Sequence, residues 1–149
     1  MQPTRQACTP YLCCRDAPRA LDFYAKAFGA VTHVRFVSPD GRIGHAELEI
    51  EGSRLYLSDE WPEGVVTSPS QLGGTTFAIH LVVKDVDALT QRAVEAGAQL
   101  LRPAENQPYG DRSSVLLDPF GHRWFLATPV EEVSKEELRR RMGPAFLID

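Results

Sequence analysis

The feature that most constrains this chain is a strand-to-helix pattern that occurs twice. Asp16 and Asp85 each follow a run of apolar or β-favouring residues, and each precedes a stretch with helical periodicity. Both stretches end at a Gly-Ala pair, at 29–30 and at 97–98. An Asp in this position can accept the free N–H groups of the first helical turn and therefore predicts the start of a helix. The repeat indicates two copies of one structural module.

Three strand-like runs follow each predicted helix. They lie at 31–37, 43–50 and 53–58 in the first copy and at 99–101, 113–117 and 122–128 in the second. The residues between them, such as Pro-Asp-Gly at 39–41 and Asp-Pro-Phe-Gly at 118–121, are the types that tight strand connections need. The sequence predicts an α+β fold of two tandem β-α-β-β-β modules, whose eight strands form a cupped mixed sheet.

The segment boundaries follow from the same turn and capping residues. The chain has 149 residues, which fits a single domain. We place the first module at 7–59, a linker rich in Pro and Gly at 60–74, and the second module at 75–129. Ser134 and Glu137 have the spacing of a capping box, which predicts a C-terminal helix at 134–143.

Composition excludes several classes of partner. A net charge of -4 argues against nucleic acid and against an anionic membrane surface. No apolar run approaches the roughly 20 residues of a membrane span. The three cysteines, Cys8, Cys13 and Cys14, are an odd number, and two of them are adjacent on a predicted strand, which argues against a disulfide framework. We therefore expect a cytoplasmic protein with reduced thiols.

Several motifs in this framework are similar to those of one superfamily. They are the segments 11–16, 23–24, 28–30, 45–48, 109–112 (Tyr-Gly-Asp-Arg) and 118–124 (Asp-Pro-Phe-Gly-His-Arg-Trp). With them the chain resembles the vicinal oxygen chelate superfamily, which includes glyoxalase I, extradiol dioxygenases, fosfomycin-resistance enzymes and bleomycin-binding proteins. The resemblance covers nearly the whole chain. It implies a small-molecule site in the cup, usually completed by a second subunit, and so a homodimer.

The resemblance also implies where a metal would be bound. In metal-binding members one ligand, commonly His, lies about seven residues before each N-cap Asp, and a carboxylate often lies on the last strand of a module. The corresponding positions here are Thr9, Ala78, Tyr56 and Phe125. A catalytic divalent metal needs about three nitrogen, oxygen or sulfur donors that converge. We therefore expect no metal and no cofactor.

Strand alternation predicts which residues face the cup. The expected ligand-binding residues are Tyr11, Cys13, Tyr56, His80, Arg123 and Phe125. Aromatic surface with a few polar groups is typical of a small-molecule pocket, and flat ligands can stack on such rings or on Trp124. The alternatives are that the aromatic residues fill a barrel core and that His80 is a hydrogen-bonded interior histidine.

Three functions remain open on the sequence. The first is a metal-free protein that binds an aromatic or amphipathic small molecule. The second is a lyase or isomerase that uses His80 with His45 and Glu47, with an off-pattern divalent metal as an option. The third is a subunit that supplies mainly dimer contacts. The motif at 109–112 is expected in a loop, where it serves either recognition or a local Asp111–Arg112 turn.

Overall fold

The computed structural model describes residues 6–149 and contains eight strands and four helices. The strands are β1 (Tyr11–Cys14), β2 (Val31–Val37), β3 (Ile43–Ile50), β4 (Ser53–Asp59), β5 (Ala78–Val82), β6 (Gln99–Asn106), β7 (Asp111–Leu117) and β8 (Arg123–Pro129). The helices are α1 (Ala17–Phe28), α2 (Pro69–Leu72), α3 (Val86–Glu95) and α4 (Lys135–Met142), followed by a 3-10 turn at Gly143–Ala145.

The strands form two mixed sheets of four. Their orders are β1-β4-β3-β2 and β5-β8-β7-β6, so the two modules have the same topology. The neighbours β1 and β4 are parallel, as are β5 and β8, and the other neighbouring strands are antiparallel. The predicted α+β fold of two β-α-β-β-β modules is confirmed, and its eight strands are divided between two sheets.

The two long helices begin at the aspartates that mark the repeat. The Asp16 carboxylate accepts a hydrogen bond from the backbone N–H of Arg19 at 3.2 Å, and Asp85 accepts one from Ala88 at 3.0 Å. Gly29 ends α1 in the left-handed conformation, with φ at 68°. This conformation carries no Cβ penalty in glycine, which explains the abrupt end of the helix.

A single buried core joins the two modules. One face of each sheet and the facing sides of α1 and α3 belong to it. The Arg92 guanidinium on α3 donates a hydrogen bond at 2.9 Å to the carbonyl of Ala27 on α1. Trp124 of β8 packs against Phe28 of α1, with ring centroids 4.6 Å apart. The helices therefore cover one face of each sheet and leave the other face open.

Two segments differ from the sequence expectation. The loop prediction for 109–112 is wrong for its last two residues, because Asp111 and Arg112 begin β7. The Arg112 guanidinium makes two hydrogen bonds to the Asp87 carboxylate on α3, at 2.6 and 2.8 Å, so it fastens the strand to the helix. The linker contains the short helix α2, capped by Ser68.

Within residues 6–149, no helix is long and apolar enough to cross a bilayer.

Candidate functional site

A cluster of three aromatic rings surrounds His45 on the open face of the first sheet. Tyr11 and Tyr56 are directly opposite each other on β1 and β4, with ring centroids 6.0 Å apart. The imidazole of His45 lies 5.0 Å from the Tyr56 ring and 5.5 Å from that of Phe36. We call Tyr11, Phe36, His45 and Tyr56 the aromatic cluster. It offers flat apolar surface around one polar ring.

A line of polar contacts crosses this cluster. The Tyr11 hydroxyl lies 2.9 Å from His45 Nδ1, and His45 Nε2 lies 3.5 Å from Glu47 Oε1. Arg54 donates a hydrogen bond to the other Glu47 oxygen at 3.1 Å. A carboxylate accepts but does not donate, so its proximity favours the ring proton on Nε2. Nδ1 is then the acceptor, and the Tyr11 hydroxyl donates to it.

Phe36 is a member of the cluster that the sequence reasoning missed. Strict alternation from Val31 places Phe36 on the opposite face from Val31. The pairing of β2 with β3 shifts between Thr32 and Val34, and this irregularity brings Phe36 opposite His45. One extra residue in a strand reverses the facing of every residue after it. The sequence around His33 contains no glycine or proline that signals the bulge.

Cys13 is buried next to the linker, two residues from Tyr11 on β1. Its thiol contacts the carbonyl of Val66 in the linker at 3.7 Å. Cys13 and Tyr11 line a cavity of about 170 Å³ together with linker residues and His122. Burial raises the pKa of Cys13 to about 11, with further contributions from the negative charges of Glu60 and Asp59. The thiol is therefore protonated at neutral pH and is a weak nucleophile.

The other three predicted site residues lie on the second sheet. His80 of β5 is opposite Phe125 of β8, and Ala78 is opposite Arg123, so His80, Phe125 and Arg123 share strands β5 and β8. His80 and Arg123 are exposed, and Phe125 is half-buried. Arg123 also lines a groove of about 650 Å³ between α2 and the turn after β7.

The predicted residues thus form two groups on two sheets within one chain. Tyr11 and Tyr56 meet on the first sheet, whereas His80, Arg123 and Phe125 lie on the second. His80 of β5 and Arg54 of β4 line a common cavity of about 210 Å³. Of the three residues in the enzyme hypothesis, His45 and Glu47 are paired, and His80 belongs to the other sheet.

The donor set does not fit the superfamily's metal centre. In the described part of the chain, no three His, Cys, Asp or Glu side chains are placed to hold one ion. Of the four positions implied by the resemblance, Tyr56 belongs to the aromatic cluster, and Ala78 and Phe125 offer no ligating atom.

Two residues of the Asp-Pro-Phe-Gly-His-Arg-Trp motif, His122 and Trp124, are buried. The suggestion that ligands stack on Trp124 is wrong, because this residue is 1% exposed and packs in the core. His122 is also buried, and its Nε2 donates a hydrogen bond to the carbonyl of Cys13 at 2.9 Å. The motif joins the two modules, which leaves Arg123 as its member on the open side.

Comparison with known proteins identifies the superfamily to which this fold belongs. The family model of the Glyoxalase/Bleomycin resistance protein/Dioxygenase superfamily matches residues 6–126. The chain belongs to this superfamily. An uncharacterized protein of Mycobacterium bovis is 47% identical to it over 140 residues, which are 92% of each chain. An uncharacterized protein of Arabidopsis thaliana is 31% identical over 128 residues, 78% of this chain and 76% of the relative.

Solved structures of the superfamily's fold are also similar. TioX from Micromonospora sp. ML1 has a TM-score of 0.64 at 26% identity, over 84% of this chain and 99% of TioX. A glyoxalase-related enzyme from Fulvimarina pelagi has a TM-score of 0.62 at 26% identity, over 83% and 88% of the two chains. These likenesses support the superfamily fold and leave the ligand to be inferred from the site.

Proposed function

We propose that this protein binds a small aromatic or amphipathic molecule on the open faces of its sheets, without a metal. The observation that carries the proposal is the aromatic cluster, in which rings from three strands surround a polar imidazole on an uncovered surface. Flat apolar walls with a few fixed polar groups are the usual composition of a small-molecule site. His80, Arg123 and Phe125 supply a second wall of similar character.

We also propose that a second copy of the chain completes the site. Every residue of the edge strand β2 is exposed, and four of them are large and apolar: Val31, Val34, Phe36 and Val37. An exposed apolar edge strand is an aggregation hazard in a monomer, so it favours a partner. A two-fold homodimer covers such a surface in both chains with one kind of contact.

A ligand screen tests the binding proposal. Single-ring and fused-ring compounds are screened by thermal shift, and compounds that raise the melting temperature are titrated by calorimetry against Tyr56→Ala and Phe125→Ala. If the rings are anchors, each change weakens binding by about 1–3 kcal/mol. Tyr109→Ala is the matched control, since Tyr109 is an exposed aromatic outside the cluster. A screen without any shift contradicts the proposal and favours a subunit with mainly interaction contacts.

One pair of residues supports the alternative that the protein is a lyase or an isomerase. His45 and Glu47 lie within ion-pair distance beside the Tyr11 hydroxyl, which is an arrangement for moving a proton. His80 has no carboxylate partner of this kind among the described residues. If the protein has acid–base activity, its centre is the His45 side of the site.

A further inference from the structure

We propose that Tyr11 is a reactive phenol and that His45, supported by Glu47 and Arg54, takes up its proton. The inference goes beyond ligand binding, since it assigns an acid–base activity to one oxygen atom of the site. It rests on three contacts: Tyr11 to His45 at 2.9 Å, His45 to Glu47 at 3.5 Å, and Glu47 to Arg54 at 3.1 Å.

The positions of Glu47 and Arg54 suit proton movement away from Tyr11. Glu47 presents one oxygen to the imidazole and the other to the Arg54 guanidinium. The carboxylate is thereby held in place and can stabilise the positive charge that His45 gains with a second proton. The same logic of an oriented base beside a hydroxyl operates in hydrolase triads. Here the hydroxyl is a phenol on the first strand.

The surroundings of Tyr11, His45 and Glu47 exclude part of the bulk water. The side chains of His45 and Glu47 are 21% and 28% exposed, and Phe36 and Tyr56 flank the imidazole. Tyr11 as a residue is 41% exposed, so part of its surface remains accessible to a ligand. Partial enclosure by aromatic rings strengthens the electrostatic interaction between His45 and Glu47.

The proton balance of the activity is simple. When a ligand hydroxyl approaches the Tyr11 oxygen, that hydroxyl gives its proton to Tyr11 as the original phenol proton moves to His45 Nδ1. The ligand becomes an oxyanion and His45 an imidazolium ion facing Glu47, without any oxidant or reductant. The substrate class is therefore a small aromatic compound with a hydroxyl group to be activated.

The test uses an aryl sulfonyl fluoride as the probe on the intact protein, with the modified residue located by mass spectrometry. In the reaction the Tyr11 oxygen bonds to sulfur, the S–F bond breaks, fluoride leaves, and the phenol proton passes to His45. Tyr109 is an internal control, since it is 48% exposed and has no hydrogen bond to a histidine within residues 6–149. We expect Tyr11 to be modified at least about tenfold faster than Tyr109.

Two variants separate proton uptake from simple positioning. His45→Gln retains an acceptor for the Tyr11 hydroxyl but no base, and it should lower the Tyr11 rate to that of Tyr109. Glu47→Gln should lower the Tyr11 rate several-fold while Tyr109 is unaffected. Circular dichroism and the melting temperature check that both variants fold. The Tyr109 rate reports any general change in exposure.

Three results would overturn the inference. They are equal modification of Tyr11 and Tyr109, an unchanged Tyr11 rate in His45→Gln, and modification of His45 in place of Tyr11. The probe needs no natural ligand, so the outcome is independent of the screen that tests binding. A protein that binds aromatic ligands but shows equal labelling would retain the proposed function and lose this inference.

Discussion

The phenol oxygen of Tyr24 on α1 donates a hydrogen bond at 2.6 Å to Asp118 Oδ2 in the turn after β7. The same carboxylate oxygen accepts from Trp124 Nε1 at 2.9 Å, and Oδ1 accepts from the backbone N–H groups of Phe120 and His122. Asp118 is 4% exposed, and Tyr24 is fully buried. This buried carboxyl group therefore has four donors and connects the first module to the second.

We expect Asp118→Asn to lower the free energy of unfolding by about 3 kcal/mol, because an amide group replaces an acceptor facing buried donors. Tyr24→Phe removes one of the four donors and should cost about 1.5 kcal/mol. Urea unfolding of both variants measures the difference. Equal stability of Asp118→Asn and the wild type would contradict a role of the carboxylate in joining the modules.

Gly121 allows a test of the contact between the turn after β7 and the linker helix α2. Its φ is 89°, and a Cβ at this position would lie 2.7 Å from the Pro69 Cβ on α2. Gly29 also has a positive φ, but a Cβ there would meet nothing within 4 Å. Gly29→Ala should therefore cost about 1 kcal/mol from backbone strain alone, and Gly121→Ala about 2–3 kcal/mol. Thermal unfolding compares them, and equal losses would refute the close approach.

The cysteines should differ in reactivity with an alkylating agent at pH 8. Cys8 is exposed and should react first, whereas burial raises the pKa of Cys13 to about 11 and that of Cys14 well above its usual range. Mass spectrometry after iodoacetamide treatment reports the order. Early modification of Cys13 in folded protein would be inconsistent with its buried position.

The raised pKa of Cys13 also predicts a pH dependence of stability. Between pH 9.0 and about 11 the folded protein retains a thiol proton that the unfolded chain releases. Unfolding is therefore increasingly favoured as the pH rises through this range. The stabilising contribution of the protonated Cys13 thiol to the free energy of unfolding is fully present only below pH 9. Cys13→Ser should flatten this part of the profile in denaturant titrations. A slope unchanged in the variant would assign the effect to other groups.

The homodimer prediction is tested by light scattering at tens of micromolar, the usual scale for weak association. Phe36→Glu should dissociate the dimer, because it places a charge on the apolar edge strand. Val65→Glu is the matched control, since Val65 lies in the linker and is fully exposed. A monomeric wild-type protein at this concentration would refute the prediction.

Metal content provides the last prediction. Purified protein should contain no stoichiometric transition metal, because the positions that the superfamily uses have Thr9, Ala78, Tyr56 and Phe125. Elemental analysis after mild chelation measures this. Near-equimolar zinc, nickel, iron or manganese would contradict the prediction, and alanine variants of His45, Glu47 and His80 would then be the first to examine.

The sequence alone determined the duplicated modules and the helix starts. Asp16 and Asp85 cap the helices in the way that their positions predict, because capping depends on hydrogen bonds within a few residues. Strand alternation likewise accounts for Leu12 and Cys14, which both belong to the core. These features depend on local geometry, which the order of residues contains directly.

Tertiary structure alone decided which side chains meet. The contact of Tyr11 with His45 joins residues 34 positions apart, and that of His122 with Cys13 joins residues 109 apart. The bulge in β2 brought Phe36 to the cluster, and the division into two sheets separated His80 from Glu47. Such contacts depend on register and on how the modules pack, and no local pattern in the sequence specifies either one.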